Sequence, residues 1–270
     1  MPYKKNKAKL LSVIVPIFRQ EKTIVEDLGQ IEAALKKIPK DYDYEIIGVV
    51  DGRVDKSYEN AKKIKSSKVK IFAYEENHGK GYAVRYGMAR AKGDPIAFID
   101  AGMDINPSGI PLLLAHMDWY KSDVIVGSIR HSASKVTHYP LFRRIQSTVY
   151  HLMTKIMFRL NITDSQRGIK IFRRKVLEKV LPRLLVKRFA FDIEMLAVAR
   201  HLGFKNIHDG PVELNAEVYR KNSAVKLTSA IEVMWDTLAV FYRLNILHYY
   251  DDSAKRNWVY DKDLDMKVNI

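Results

Sequence analysis

The stretch Pro95–Pro107, PIAFIDAGMDINP, runs from a short apolar segment into two carboxylates, Asp100 and Asp104, four residues apart across a turn of small residues. An apolar run of this length between turn residues reads as a buried strand. A strand interior has no use for an acid, so Asp100 belongs at the strand's tip. The same unit recurs along the first half of the chain. LLSVIVP precedes a helical stretch from Glu21 to about Lys37, and YEIIGVVDG, which carries Asp51 at its end, precedes another at Tyr58 to Ile64. KVKIFAY leads into Gly81 to Ala91, and PIAFID into Gly109 to Trp119. Strands alternating with amphipathic helices predict an α/β fold, a mostly parallel central sheet flanked by helices. Ligands of such sheets bind beyond the carboxyl ends of the strands. Asp51 and Asp100 both stand there.

Downstream come the strand DVIVGS, an amphipathic helix from about Leu141 to Leu160 and a short strand GIKIF. A helix from Asp192 to His201 and a strand near Val212 follow. The last helical stretch, SAVKLTSAIEVMWDTLAVFYRLNIL, leads into a charged tail that reads as poorly ordered. The best boundary is near Asn222. It divides a catalytic domain, 1–222, from a segment of amphipathic helix and tail, 223–270.

The 270 residues are 47% hydrophobic and suffice for one sizeable core. The absence of Cys excludes disulfides and thiolate metal sites. The N-terminus is basic and then apolar, without a signal-peptide cleavage pattern. No apolar stretch is long enough to span a bilayer. The expectation is a cytoplasmic protein without a transmembrane anchor of its own.

Net charge is +15, and the segment from Ile129 to Arg188 holds 15 Lys or Arg against two acids, a net +13. Such a segment suits nucleic acid, a phosphorylated small molecule or an acidic membrane surface, its bland alternative being a solvated face. The basic residues of helix 141–160 have no helix-turn-helix, RNA-recognition or zinc-finger signature beside them, so nucleic acid is set aside.

The eight His residues show no metal spacing, and Ser128, Ser147 and Ser165 lack the setting of a serine nucleophile. The glycine-rich ENHGKGYA is not a P-loop. Lys80, between Gly79 and Gly81, nevertheless suits a turn that admits an anion near a helix N-terminus. The remaining hard groups are Asp51, Asp55, Asp100, Asp104, Asp192 and Glu194. Carboxylates at adjacent strand ends suit Mg2+ or Mn2+ shared with a substrate diphosphate.

In order and spacing these segments resemble a GT-A-fold, family-2 glycosyltransferase of the dolichyl-phosphate mannose or glucose synthase type. VPIFRQE, VVDGRVD, NHGKGYA, DAGMD, VGSIR, RRIQS, DSQRGIKIF and FAFDIEML each match a family motif, across roughly Leu11 to Leu227. The resemblance implies transfer of mannose or glucose from GDP-mannose or UDP-glucose to a polyprenyl (dolichyl-type) phosphate, with inversion. It implies a metal held by Asp100 and Asp104. Asp51 would contact the base or ribose, Pro16, Phe18 and Gln20 would line that pocket, and Lys80 would meet polar groups of the donor. Arg130, Arg143 and Ser147 match the acceptor-phosphate positions. Asp192 and Glu194, two apart at a helix start, would cap the helix or orient those arginines, a role favoured over proton abstraction.

The chain departs from the family at three points. Gly102 replaces the second Asp of the metal motif, with Asp104 two positions on; Gln20 replaces a Glu, and Val50 an Asp. Moving one metal ligand along the turn demands a local rearrangement. The lipid acceptor implies peripheral attachment to the cytoplasmic face of an anionic membrane, through helix 141–160 and the segment after Asn222, or an anchoring partner protein. Alternatives are a glycosyltransferase with a non-prenyl acceptor and a degenerate sugar-nucleotide-binding protein.

Overall fold

The computed structural model describes residues 8–136, 141–215, 227–255 and 257–269, apart from the side chains of 141–143 and 227–230. Strands β1 (Lys9–Ile17), β2 (Tyr42–Asp51), β3 (Val69–Tyr74) and β4 (Ile96–Ile99) alternate with helices α1 (Ile24–Leu35), α2 (Ser57–Ala61) and α3 (Lys80–Arg90). Helix α4 (Gly109–Trp119), β5 (Val124–Ser128), β6 (Lys135–Val136), α5 (Leu141–Phe158) and β7 (Ile169–Phe172) come next. After α6 (Arg174–Val180) come α7 (Phe191–His201), β8 (Ile207–Pro211), β9 (Glu213–Leu214), α8 (Leu227–Asn245) and the hairpin β10 (Trp258–Asp261) and β11 (Met266–Asn269).

Seven strands form one sheet in the order β3-β2-β1-β4-β7-β5-β8. All pair parallel except β7, which runs antiparallel between β4 and β5. The expected parallel sheet therefore carries one inverted central strand. Inversion matters for function, because it brings the start of β7 to the tip of β4. Asp100 N donates to Gly168 O at 2.9 Å there.

Two apolar cores lie on the two faces of the sheet. One contains Leu11, Val13, Leu28, Ile31, Leu113 and Leu114, from the odd positions of β1 and the inner stripes of α1 and α4. The other contains Ile14, Phe98, Phe172 and Leu196, and also Val240, Leu244 and Tyr250. Alternation of side chains along a strand divides β1 between them. The boundary near Asn222 lies outside the described residues, but residues well beyond it belong to the main core. The tail, expected to be poorly ordered, carries the β10–β11 hairpin, and Arg90 donates to Asp263 O at 2.7 Å to hold it. No helix among the described residues is long and apolar enough to cross a membrane.

Candidate active site

The tips of β1, β2 and β4, the loop after β5 and helices α3, α5 and α7 carry the predicted site residues. Asp51, at the end of β2, is buried. Its carboxylate accepts hydrogen bonds from Tyr74 Oη (2.9 Å), Asn77 Nδ2 (2.8 Å), His78 N (2.8 Å) and Gly79 N (3.0 Å). The anion expected at the start of α3 is thus the protein's own. Those donors engage both of its oxygens, so Asp51 shapes the 77–79 turn. Around it, Pro16 is half-buried near the end of β1 and Phe18 is exposed just beyond, with the Arg19 guanidinium 5.2 Å from its ring centroid. Gln20 is tied down, its N donating to Ser57 Oγ (2.8 Å) and its Oε1 accepting from Thr23 Oγ1 (2.8 Å).

The turn set by Asp51 delivers Lys80 to Asp100. Gly79 has φ +99°, and a Cβ there would fall 2.7 Å from Lys187 O; one on Gly81 would meet Phe191 Cβ at 2.6 Å. Only glycines let this turn lie against the start of α7. Lys80 Nζ therefore donates to Asp100 Oδ2 at 2.9 Å and to Asp192 Oδ2 at 3.3 Å. Lys170, fully buried in β7, donates to Asp192 Oδ1 at 2.5 Å and to Arg167 O at 2.6 Å. Both ammonium groups lie over the Phe98 ring, 5.5 and 5.2 Å from its centroid.

Burial alone would lower Lys80, but the carboxylates of Asp100 and Asp192 outweigh it and hold the ammonium above its ordinary value. Burial dominates at Lys170 and lowers it, although Asp192 opposes the shift. Burial raises Asp100 against the pull of Lys80. Two carboxylates and two lysines thus form a compact cluster at the carboxyl end of β4.

Asp192 and Glu194 separate in the structure. Residues two apart on an α-helix point about 200° apart. Asp192 faces the lysines rather than the expected arginines. Glu194 is fully buried on the other side, accepting from Leu185 N (3.1 Å), Val186 N (2.9 Å) and Tyr250 Oη (2.7 Å). Burial raises its carboxyl above the ordinary range. With its oxygens committed there, Glu194 organises the 184–186 loop.

The turn after β4 carries the shifted carboxylate on an unusual backbone. Gly102 and Met103 are both left-handed, at φ +87° and +55°. Gly102 N donates to the buried carboxylate of Asp27 on α1 at 3.2 Å. Asp104 O accepts from Asn215 N at 2.9 Å, and Ile105 forms a bridge with Leu214, so the turn is pinned to β9. Asp104 is half-buried.

Two observations fit Asp100 to a divalent ion. Its Oδ1 is buried without a hydrogen-bond partner. Its Oδ2 lies where a Cβ on residue 168 would stand 1.9 Å away, so Gly168 is a cradle for the carboxylate. No group of three or more His, Asp or Glu side chains gathers to hold a metal among the described residues. A cation held by two carboxylates would therefore take its remaining ligands from water and substrate phosphate, as Mg2+ habitually does.

On the loop after β5, Arg130 Nη2 donates to Ser147 Oγ at 2.8 Å and to Thr148 Oγ1 at 2.9 Å, joining two of the predicted acceptor residues. Arg143 stands in the first turn of α5, but its side chain lies outside the described residues. Ile145, Val149, Leu152 and Ile156 form an exposed stripe on α5, opposite its buried Thr154 and Phe158. On α8, Ile231, Trp235, Leu238 and Tyr242 do the same opposite Thr237, Val240 and Leu244. The two helices meet through Tyr150 Oη and Thr237 Oγ1, 2.9 Å apart, and through the rings of Phe158 and Phe241.

Sequence reasoning missed Lys170, Gly168 and Asp27. The signal for Lys170 was present: a Lys inside the apolar strand GIKIF has no ordinary reason to be there.

Comparison with known proteins places these features in context. Residues 12–181 match the family model described as glycosyl transferase family 2. A dolichyl-phosphate beta-glucosyltransferase of Drosophila melanogaster is 32% identical over 71% of this chain and 63% of its own length. One of Trichomonas vaginalis is 31% identical over 87% of this chain and 75% of its own. Among solved structures, glucosyl-3-phosphoglycerate synthase of Mycobacterium tuberculosis superimposes with a TM-score of 0.65 at 16% identity, covering 93% of this chain and 85% of that one. That synthase has also been crystallised with Mn2+, UDP-glucose and phosphoglyceric acid. At such identity the likeness speaks for the fold.

Proposed function

The chain belongs to glycosyl transferase family 2, and from that membership and the geometry above we propose that it transfers glucose from UDP-glucose to a dolichyl-type polyprenyl phosphate, inverting the anomeric carbon. The observation that carries the reading is the pairing of a carboxylate–lysine cluster at the tip of β4 with a separate cationic seat, Arg130 against Ser147. The names of the curated relatives favour glucose over mannose and dolichyl phosphate over other acceptors.

The donor's diphosphate lies against Lys80 and Asp100, its base near Phe18 and Pro16 in a pocket whose wall Asp51 and Gln20 hold in shape. Asp100 and Asp104 would hold Mg2+ or Mn2+, which when bound neutralises charge gained by the departing nucleoside diphosphate. The acceptor is a phosphate monoester with a second pKa of about 6, already anionic at neutral pH. It needs a cationic seat more than a base. Arg130 supplies that seat, with Arg143 as a second donor, and a guanidinium grips phosphate with two N–H groups at once. Asp192, held between Lys80 and Lys170, positions Lys80.

The exposed stripes of α5 and α8 suit the interface of a membrane, where an amphipathic helix buries one apolar face and keeps its charges in water. Exposed Arg144 and Lys155 on α5 and Arg159 just beyond it add attraction to anionic lipid. Both helices dock on the catalytic core, so the acceptor phosphate can be met at the surface from which it projects. An anchoring partner protein is the second reading of these stripes.

The deciding experiment incubates the purified protein with Mn2+ or Mg2+, labelled UDP-glucose or GDP-mannose, and dolichyl phosphate. Label should enter the lipid phase from UDP-glucose as a β-linked phosphodiester. Transfer from GDP-mannose instead would reassign the sugar. No transfer from either donor would end the reading as a polyprenyl-phosphate transferase.

A further inference from the structure

Resting on the nucleotide-diphosphate donor just proposed, we infer that Lys80 makes the carboxylate site refuse a bare divalent cation and accept one only with a nucleoside diphosphate. Lys80 Nζ is 2.9 Å from Asp100 Oδ2 and 3.3 Å from Asp192 Oδ2, so a fixed positive charge already sits against the metal-ligand carboxylate. The oxygen left for a cation is Asp100 Oδ1, which is buried and has no hydrogen-bond partner. A divalent ion held there by Asp100 and Asp104 would gain their charge but would lie close to the fixed ammonium, whose repulsion opposes it.

Lys80 has little freedom to withdraw. Its side chain is only 15% exposed, and its turn is locked by Gly79 and Gly81 against Lys187 and Phe191. Asp192 cannot follow an incoming cation either, because Lys170 holds its other oxygen from inside the sheet at 2.5 Å. Within the cluster two carboxylates stand against two lysines.

A diphosphate reverses the sign of the same contact. Its negative charge attracts both the metal and the Lys80 ammonium, so the group that opposed the bare ion now helps to seat the chelate. Lys80 acts here as a positioning residue that couples metal to donor.

Mn2+ binding followed by electron paramagnetic resonance tests this without any turnover. Wild type should hold Mn2+ at least tenfold more tightly with UDP than without. UDP chelates Mn2+ unaided, so the deciding arm is the nucleotide-free one. There Lys80→Met, verified as folded by circular dichroism, should bind Mn2+ at least tenfold more tightly than wild type, and Asp100→Asn should bind none. Equal Mn2+ affinity of wild type with and without UDP, no gain in folded Lys80→Met, or no bound Mn2+ in any sample would each overturn the inference. The wild-type comparison stands even if the variant does not fold. Glucose transfer by the same preparation separates this outcome from the functional reading. Transfer alongside free uptake of Mn2+ sinks only the coupling, whereas the expected Mn2+ pattern without transfer sinks only the acceptor assignment.

Discussion

Gly168 and Asp100 meet where no side chain could stand: a Cβ on residue 168 would lie 1.9 Å from Asp100 Oδ2 and 2.3 Å from its Cγ. The contact crosses from the start of the inverted strand to the tip of its neighbour, and Asp100 N is bonded to Gly168 O as well. Gly168→Ala should therefore push the carboxylate aside while the sheet persists. Misplacement of a reacting group by about 1 Å can cost on the order of 10²-fold. We expect turnover to fall by about that factor and calorimetric affinity for UDP with Mn2+ to fall with it. Unchanged affinity would show that Asp100 does not meet the metal–nucleotide complex.

Asp104→Ala should lower turnover by about 10²-fold or more if it shares the cation with Asp100. Gly102→Asp, which restores the family's acid two positions earlier, should not repair it. Residue 102 sits at φ +87°, a conformation that a side chain adopts only under strain. Rescue by that second substitution would mean that the turn relaxes, and wild-type rates in Asp104→Ala would reduce Asp104 to a turn residue.

Arg130→Ala should lower kcat/KM for dolichyl phosphate with little change in the KM for UDP-glucose. A charge-assisted hydrogen bond is worth about 1.5–3 kcal/mol, or roughly 10- to 150-fold. Arg130→Lys should recover only part, because it keeps the charge and loses the fork. Ser147→Ala, which removes one of the hydroxyls holding Arg130, should show a smaller loss in the same direction. A donor-side effect of equal size would refute the acceptor seat.

Ile156→Glu together with Trp235→Glu should release the protein from anionic liposomes in sedimentation. Each exposed apolar side chain that enters lipid is worth about 1.5–3 kcal/mol, and each basic residue near the surface about 1 kcal/mol. Salt should release the variant fully and the wild type only in part. UDP affinity should be unmoved, since both side chains point away from the site. Equal sedimentation of the two proteins would transfer the role to a partner.

Glu45 offers a test by pH. Its buried carboxylate accepts from Ser12 Oγ (2.7 Å), Lys92 N (2.8 Å) and Lys70 Nζ (2.9 Å). Burial would raise its carboxyl, but these donors prevail and hold it below the ordinary value of 4.5. A carboxylate lowered on folding stabilises the native state above that value, and the contribution is lost as pH falls through the lowered one. Glu45→Gln should therefore cost about 2 kcal/mol in denaturant unfolding at pH 7. The gap to wild type should narrow below pH 4.5. A gap that stays constant down to pH 3 would show that the charge is irrelevant there.

Much of this could be seen before the structure. The alternation of β-branched runs with helical stretches located most elements, and strand tips located Asp51 and Asp100. Strand direction could not be seen, because IKIF has the same pattern read either way, and so β7's inversion and the Gly168 cradle stayed hidden. Periodicity alone says that Asp192 and Glu194 diverge on α7, but not which of them faces the cleft. That depends on Lys80, 112 residues earlier in the chain. The position of Asp51 at a strand tip was legible, but the four donors that engage it, from the end of β3 and the turn after it, converge only after folding.

The bond between Tyr250 and Glu194 has a consequence for how the molecule comes into being. Helix α7 carries Asp192 on one side and, on the other, a buried acid whose partner is delivered 56 residues later. Domains generally fold as units during synthesis. Here the helix that steadies Lys80 lacks its backing until Tyr250 has emerged. Nascent chains halted before that point should display the sheet without a settled donor site, and a chaperone that shields the unbacked face of α7 would find its client in that interval.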